Sequence, residues 1–124
     1  MVERLPEAYV RFIELFNAGK FWESHEVLEA PWRLQASPFY KGLIIFASTF
    51  VHVQRGNPVG VIKQSSKVPR YLTDYVPHYL GLDVDKLFAH AQRCHALGVA
   101  HKHVRGAALA QRIPLYRLEI DPSL

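Results

Sequence analysis

The sequence predicts an all-α fold, a single-domain bundle of about five helices around a buried central helix. Its 124 residues are enough for one domain that folds without disulfides or a structural zinc ion. Apolar side chains recur at intervals of three and four residues in several segments, which is the spacing of one helix face. The segment from Gly42 to Val53 is apolar nearly all round, so we expect a helix that the others surround.

The first helix is predicted from about Pro6 to Asn17. Proline suits the first turn of a helix, and Gly19 suits the left-handed conformation that ends one. Apolar residues repeat at helical spacing along this segment and predict a face directed to the core: Tyr9, Phe12, Ile13 and Phe16.

The second helix is predicted to begin near Phe21 and to be limited by Pro31. The ring of a proline inside a helix clashes with the carbonyl of the residue four positions earlier, which is Val27 here. We therefore expect the second helix to end or kink just after Glu29.

The third helix has clear signals at both ends. Ser37 followed by Pro38 is typical of a helix start, and Arg55 followed by Gly56 is typical of a helix end. Within this helix, Gly42 most simply permits the close approach of a neighbouring helix.

A fourth helix is predicted to open at Asn57-Pro58, since asparagine is a good cap and proline a good first residue. We expect it to last to about Val68, because Pro69 would disrupt it. The tyrosine-rich segment Tyr71–Leu82 is predicted to be a packed loop or a broken helix.

Asp83 is predicted to cap a fifth helix that stops at Gly98. The remaining residues are less regular, and their alternating end, Leu115–Ile120, is predicted to be extended. A single strand has no ladder partner, so we expect this end to lie across the helices. The predicted organisation is a helical bundle over residues 1–98 and a C-terminal extension over residues 99–124 that packs on it.

The net charge of +4 is unevenly distributed. From Lys63 to Leu124 there are nine basic and five acidic residues, whereas the first half is balanced. A basic half is compatible with an anionic partner. However, the basic residues are scattered, and the aromatic and glycine signatures of RNA-binding sheets are missing, which disfavours a nucleic-acid partner.

The segment MVERLPEAYV has neither the basic flank nor the apolar core of a signal peptide. The apolar run Gly42–Val53 is shorter than the roughly 20 residues that cross a bilayer. We therefore expect a cytoplasmic protein with no membrane anchor. The single cysteine, Cys94, has no partner in the chain for a disulfide or a cysteine-built zinc site, and a thiol nucleophile is the lesser alternative.

The candidate chemistry is concentrated in the segment FWESHEVLEAPWR, residues 21–33. Residues four apart lie over one another on a helix, so the His25 imidazole and the Glu29 carboxylate share a face. A carboxylate drawn into an apolar environment needs a cation, a histidine or a metal to offset its desolvation. Apolar flanking residues predict that this face is directed inward: Trp22, Leu28 and Trp32.

The pentapeptide HEVLE is similar to the HExxH signature of zinc proteases, with glutamate in place of the second histidine. On that pattern His25 and Glu29 would be metal ligands, and Glu26 would be the general base on a metal-bound water. His52 is the best third ligand, because it is the one histidine in the apolar central helix and its ring nitrogens need partners. The metal would be a divalent ion such as zinc, manganese or nickel.

A structural alternative explains the same residues. His52 hydrogen-bonded to Glu29, with His25 satisfied by a backbone carbonyl or a hydroxyl, would be a polar network that locks two helices together. A secondary hypothesis places Arg55 near His25 as the holder of an anion.

The segments GKFWESHEVLEAPWR and FYKGLIIFASTFVHVQRGNPVG resemble the domain-of-unknown-function family 309, a small helical family labelled as predicted metal-dependent hydrolases. The resemblance covers about Asn17 to Leu72 and implies an all-helical bundle with a buried central helix. This chain departs from the family pattern at Pro31, and residues after about Val99 find no match. The resemblance also implies a shared polar cluster at the matching positions: His25, Glu26, Glu29, Trp32, Gly42, His52, Gly56 and Asn57.

Two classes of function follow from the sequence. The first is a metal-dependent hydrolase that acts on an unidentified small molecule through a metal-activated water. The second is a non-catalytic helical interaction or oligomerisation domain. In that class the polar cluster is structural, and the tyrosine-rich loop and the basic second half bind a partner or build a homo-oligomer.

Overall fold

The computed structural model describes residues 5–124, and over this range the chain forms five α-helices, two 3₁₀ segments and one small hairpin. The predicted all-α class is therefore confirmed. The part of the signal-peptide prediction that concerns residues 1–4 lies outside the described residues. The helices are α1 (Glu7–Asn17), α2 (Phe21–Gln35), α3 (Pro38–Gln54), α4 (Pro58–Leu72) and α5 (Val84–Ala100); the 3₁₀ segments are Thr73–Tyr75 and Gly106–Gln111, and the antiparallel strands are β1 (His78–Tyr79) and β2 (Leu82–Asp83).

Helix α3 is the central element, as the sequence predicts. It packs against both α2 and α4, while α1 packs on α2 and α5 packs on α4. Twelve of its seventeen residues are buried, which explains why no wide polar face is present in its sequence. None of the helices formed by residues 5–124 combines the length and the apolarity that crossing a membrane requires.

The predicted helix starts are confirmed by their capping geometry. Ser37, Asn57 and Asp83 precede α3, α4 and α5, and each side-chain oxygen accepts a hydrogen bond from the backbone N–H three residues later. The three distances are 3.2, 3.2 and 2.9 Å. These bonds satisfy amide groups that would otherwise have no partner within the helix.

Pro31 does not end α2, so of the two predicted outcomes, an end or a kink just after Glu29, the end is wrong. The helix continues to Gln35 and stops at Ala36, which takes the left-handed conformation with φ of 50°. A proline removes one N–H donor but leaves the hydrogen bonds of the following residues available. The last turn of α2 also places Trp32, partly buried, against the core, and this packing offsets the local cost of the proline.

Pro69 likewise lies inside α4, and the predicted end of this helix at Val68 is wrong. The helix runs to Leu72, which is fully buried. A methyl group at Gly42 would overlap the Leu72 side chain, so the last turn of α4 fits closely against α3. This confirms that Gly42 permits a close helix approach, and burial of Leu72 favours the helical continuation past the proline.

The tyrosine-rich segment is neither a simple loop nor a simple broken helix. It contains the end of α4, one 3₁₀ turn, β1 and the start of β2. The ring of Phe39 lies 5.2 Å from that of Tyr75 and 4.8 Å from that of Tyr79, measured between centroids. The Tyr9 hydroxyl donates a hydrogen bond to the Leu80 carbonyl at 3.2 Å, which ties the hairpin to α1.

The chain after α5 packs on the bundle. Helix α5 ends at Ala100, two residues beyond the predicted stop at Gly98. The extended end predicted over Leu115–Ile120 has one bridging partner after all, because Ile120 pairs with Leu82 in an isolated antiparallel bridge. The division into residues 1–98 and 99–124 stays a prediction. Three apolar side chains of the C-terminal segment are buried: Leu109, Ile113 and Leu118.

Candidate functional site: a basic cleft between three helices

His25 and Glu29 contact each other on α2, as their spacing predicts. The distance from His25 Nε2 to Glu29 Oε1 is 3.3 Å, and the two side chains are 16% and 34% exposed. Arg33, four residues further on, donates to the other carboxylate oxygen of Glu29 at 3.4 Å. The carboxylate therefore has two partners on its own helix.

Glu26 and His52 do not take part in that contact. Glu26, the predicted general base, is at an exposed position of α2. His52 lies against the start of α4, where the Asn57 side-chain amide is 3.3 Å from its Nδ1 and a methyl group at Gly60 would overlap its ring. Burial lowers the pKa of His52, and the nearby charge of Arg55 lowers it further. This favours a neutral ring that accepts a hydrogen bond from the amide of Asn57.

The structure thus brings His25 and Glu29 together but does not bring His52 to them. Over the described range 5–124, no group of three or more His, Cys, Asp or Glu side chains is arranged to hold a metal ion. Catalytic zinc sites usually have three protein ligands and structural ones four. The alternative network also differs from the prediction, since His52 bonds to Asn57 rather than to Glu29.

The second ring nitrogen of His25 is a buried atom that lacks a hydrogen-bond partner in the part of the chain that the structure describes. Its ring stacks on Trp22, with centroids 5.1 Å apart and planes inclined by 22°. The guanidinium of Arg55 lies 5.4 Å from the centroid of the Trp22 ring. Arg55 therefore contacts this part of α2 through an aromatic ring, and its role as an anion holder stays a hypothesis.

His25 also lines a cleft between α2, α3 and α4. The cleft has a volume of about 370 Å³, within the range of small-molecule sites. Among the described residues that line it, three are lysine or arginine and none is aspartate or glutamate. The lining residues are His25, Lys41, Ile44, Ile45, Ser48, Gln64, Lys67, Arg70 and Tyr71.

Helical spacing on α3 builds one wall of the cleft. Lys41, Ile44, Ile45 and Ser48 follow the spacing of a single helix face. The two isoleucines are only 3% and 5% exposed, so they form an apolar floor. The ammonium of Lys41 lies 4.2 Å from the centroid of the Trp32 ring, and this cation–π contact restricts its position.

The sequence pattern did not predict this cleft. It predicts an α3 that is apolar nearly all round, whereas in the structure Lys41 and Ser48 form a narrow polar stripe seven residues apart on one face. Gln64 and Lys67 form the matching stripe on α4. Polar residues at helical spacing on two helices joined by a short turn are the signal that could have revealed the cleft.

The cysteine is not a candidate nucleophile in this structure. Cys94 on α5 is fully buried. Burial raises the pKa of its thiol to about 12, so the reactive thiolate is scarce near neutral pH.

The comparisons with known proteins give one match. Residues 9–64 match the model of a family described as Domain of unknown function (DUF309). Over this segment the chain is similar to the DUF309 family. The predicted resemblance is confirmed, although the matched range begins before Asn17 and ends before Leu72. The search of curated proteins and the search of solved structures gave no significant match.

The DUF309 segment contains part of the cleft. It spans most of α1, all of α2 and α3 and the first half of α4, and so includes His25, Lys41, Ser48 and Gln64. The remaining lining residues of α4 lie just beyond the matched range. The cleft is therefore built from the DUF309 segment and the next two turns of helix.

Proposed function

We propose that this protein binds a small anionic ligand in the cleft between α2, α3 and α4. The charges of the lining residues support this proposal. Lys41, Lys67 and Arg70 line one cavity, and none of the described lining residues is aspartate or glutamate. A cleft lined by charges of one sign concentrates ions of the opposite sign. A bound anion would also relieve the mutual repulsion of the three cations.

The cationic side chains suit a ligand with several oxygen atoms. Lysine offers three N–H donors, and the arginine fork can donate two parallel bonds to a phosphate or carboxylate. Lys41 and Lys67 are half-buried, so part of their surroundings is protein rather than water. Their interaction with an anion is therefore screened less than that of fully exposed lysines.

A second cavity gives a useful contrast. It has a volume of about 170 Å³ and lies between the β2–α5 junction and the C-terminal segment. Its lining combines Lys86 and Arg117 with three carboxylates, those of Asp83, Glu119 and Asp121. A lining of mixed sign provides no comparable attraction for an anion, which favours the cleft between α2, α3 and α4 as the binding site.

A matched pair of lysines tests the proposal. Titration calorimetry at low salt would measure the affinity for inorganic phosphate in the parent protein, in Lys67→Gln and in Lys63→Gln. Both substitutions remove one charge from α4, but Lys67 lines the cleft, whereas Lys63, one turn away, is exposed and is not a lining residue. We expect Lys67→Gln to weaken binding about tenfold, equivalent to about 1.4 kcal/mol, and Lys63→Gln to weaken it less than about twofold.

Equal effects of the two substitutions would mean that phosphate responds only to net charge, and the proposed site would be rejected. Absence of binding in the parent protein at millimolar phosphate would reject it as well. Because each lysine is at least partly exposed, neither substitution removes a core side chain.

A metal-dependent hydrolase is the second candidate function. The contact between His25 and Glu29 favours it, since the pair offers a nitrogen and a carboxylate oxygen at 3.3 Å from each other. In this candidate His25, Glu29 and His52 hold zinc, manganese or nickel, and Glu26 serves as the base. The described residues do not assemble three such ligands, so this function has less support than anion binding.

The metal content of the purified protein tests the hydrolase hypothesis. Mass spectrometry of tag-free protein never exposed to a chelating column should find one metal ion per chain if the hydrolase hypothesis is right, and His25→Ala should lose it. Protein that carries no metal, and gains no thermal stability from added zinc, manganese or nickel, would remove that hypothesis.

The interaction-domain class stays a prediction as well. Large apolar side chains are exposed on α2, where Leu34 is 88% and Trp22 is 46% exposed. Exposed apolar residues are common on monomeric proteins, so two of them are weak support for a partner or a homo-oligomer. Sedimentation equilibrium would establish whether the chain self-associates.

A further inference from the structure

The two helices that form the long walls of the cleft run in opposite directions. Gly42, near the start of α3, lies against Leu72 at the end of α4. His52, near the end of α3, lies against Gly60 near the start of α4. The two contacts fix which residues of α4 lie opposite which residues of α3.

This arrangement separates the lining residues into two ends. Lys41 and Arg70 lie at the same end, because Lys41 directly precedes Gly42 and Arg70 is two residues before Leu72. Ser48 and Gln64 lie at the other end, about 10 Å away at a helical rise of 1.5 Å per residue. Lys67 lies between them. The cleft is thus cationic at one end and neutral but polar at the other.

The neutral end can form hydrogen bonds with hydroxyl groups. The Ser48 hydroxyl donates to the Ile44 carbonyl at 3.0 Å, so its oxygen is left to accept from a ligand. The Gln64 amide, which also lines the cleft, offers both a donor and an acceptor. These two side chains are suited to bind the part of a ligand that carries hydroxyl groups.

The middle of the cleft is apolar. Ile44 and Ile45 lie between the two ends and contribute carbon surface to the floor. Such a floor matches the C–H groups of a short carbon skeleton. A ligand that uses the whole cleft therefore combines a strongly anionic group with a carbon body that carries hydroxyl groups.

We propose that the ligand of this cleft is a phosphate monoester of a hydroxylated molecule, such as a sugar phosphate. This inference rests on the proposed anion-binding function and adds the ligand's chemical class and orientation. The phosphate lies at the end formed by Lys41 and Arg70, within reach of Lys67, and the hydroxyl groups lie near Ser48 and Gln64. A phosphate monoester presents three acceptor oxygens and up to two charges, which match three cationic side chains better than one carboxylate does.

Ribose 5-phosphate, inorganic phosphate and ribose are the probes for the test. Titration calorimetry would compare their binding to the parent protein, to Gln64→Ala and to Ser48→Ala. Ser66→Ala, on the exposed face of the same helix as Gln64, is the control. We expect ribose 5-phosphate to bind at least about tenfold more tightly than inorganic phosphate, and ribose alone to bind weakly or not at all.

The variants distinguish this inference from the proposed function on which it rests. Gln64→Ala and Ser48→Ala should each weaken binding of ribose 5-phosphate about five- to tenfold and weaken binding of inorganic phosphate much less, so that the ratio of the two affinities falls. If phosphate binds through Lys67 but ribose 5-phosphate binds no more tightly, or both variants leave the ratio of the two affinities unchanged, the inference is overturned and anion binding stands. If neither phosphate compound binds, both proposals are rejected.

Discussion

Two glycines set the spacing between α3 and α4. A methyl group at Gly42 would overlap Leu72, and one at Gly60 would overlap the ring of His52. Leu72 is fully buried, so its side chain has no free space into which it could move. These contacts also fix the register of the two helices that form the walls of the cleft.

Gly42→Ala should therefore destabilise the protein. Alanine is preferred to glycine within helices by about 1 kcal/mol, but overpacking a tight contact costs about 1–3 kcal/mol, and we expect the overpacking to dominate. Urea denaturation would measure a lower free energy of unfolding. Ser66→Ala, on the exposed face of α4, should change it by less than about 0.5 kcal/mol. A variant at Gly42 as stable as the parent would show that the helices are not closely packed there.

His90 is a partly buried titratable group outside the cleft. Its ring lies 5.9 Å from Phe50 and 4.8 Å from Tyr116, measured between centroids, and its Nε2 donates to the Pro114 carbonyl at 2.9 Å. Burial lowers the pKa of His90 from its ordinary value of 6.5; the bond to Pro114 opposes that shift, and the charge of Arg93 adds to it. The neutral ring is therefore favoured in the folded protein.

This shift predicts a loss of stability in acid. Between the lowered pKa of the folded state and the ordinary value of 6.5, the unfolded chain binds a proton at this histidine and the folded chain does not. The free energy of unfolding should be level above pH 6.5 and fall as the pH drops below it, with His52 contributing in the same direction. Urea denaturation between pH 5 and pH 7.5 would measure this dependence.

Two variants separate the contribution of His90 from that of other groups. His90→Gln keeps an N–H donor but removes the titration, so its free energy of unfolding should fall less steeply below pH 6.5 than that of the parent. His103→Gln, at an exposed position, should keep the parent's dependence. Identical pH dependence in all three proteins would rule out His90 as a source of the acid sensitivity.

At the scale of helices, the sequence predicted the starts better than the ends. Caps depend on a few neighbouring residues, and Ser37, Asn57 and Asp83 all cap as expected. The ends predicted at the two prolines were wrong, because α2 and α4 continue through Pro31 and Pro69. The cost of a proline is local, whereas the burial that offsets it comes from tertiary packing that sequence spacing does not reveal.

The difference between contacts within one helix and contacts between helices also explains which part of the candidate site could be predicted. The contact between His25 and Glu29 lies within one helix, so a spacing of four residues is enough to predict it. The partner of His52 depends on which face of α3 meets α4, and the prediction that it faces α2 failed for that reason. The cleft depends on faces of three helices together, which no single pattern in the sequence describes.

Asn17 connects α1 to the C-terminal segment through two hydrogen bonds. Asn17 Nδ2 donates to the Leu118 carbonyl at 2.7 Å, and Asn17 Oδ1 accepts from the Leu118 N–H at 2.8 Å. Leu118 is itself buried. Removal of the Asn17 amide would leave both backbone groups of Leu118 without these partners in a largely dry environment.

Asn17→Ala should loosen the C-terminal segment more than the rest of the bundle. We expect trypsin to cleave several times faster after Arg112 and Arg117, which are both exposed, and hydrogen exchange at Leu118 to accelerate. The overall free energy of unfolding should fall by about 1–3 kcal/mol. Arg11→Ala, at an exposed position of α1, is the control. Cleavage at the parent's rate would indicate that the other contacts of the segment hold it in place without Asn17.

In the whole molecule, α2, α3 and α4 build the cleft, while α1, α5 and the C-terminal segment surround the same central core. The net charge of +4 attracts anions to the protein in general, and the lining of the cleft directs them to one place. The general attraction weakens as salt is added, because exposed charges are screened over about 10 Å at 0.1 M ionic strength. Binding within the cleft should persist longer, since Lys41 and Lys67 are partly shielded from solvent.

The first measurement to make is a titration of isotope-labelled protein with inorganic phosphate at constant ionic strength. The shifts of the backbone amide resonances would show whether phosphate binds in the cleft. Anion binding in the cleft should give saturable shifts concentrated on residues 41–48 of α3 and 64–71 of α4, which are lost in Lys67→Gln and retained in Lys63→Gln. Shifts that do not saturate, that spread over the basic second half, or that centre on the cavity beside Lys86 and Arg117 would contradict it.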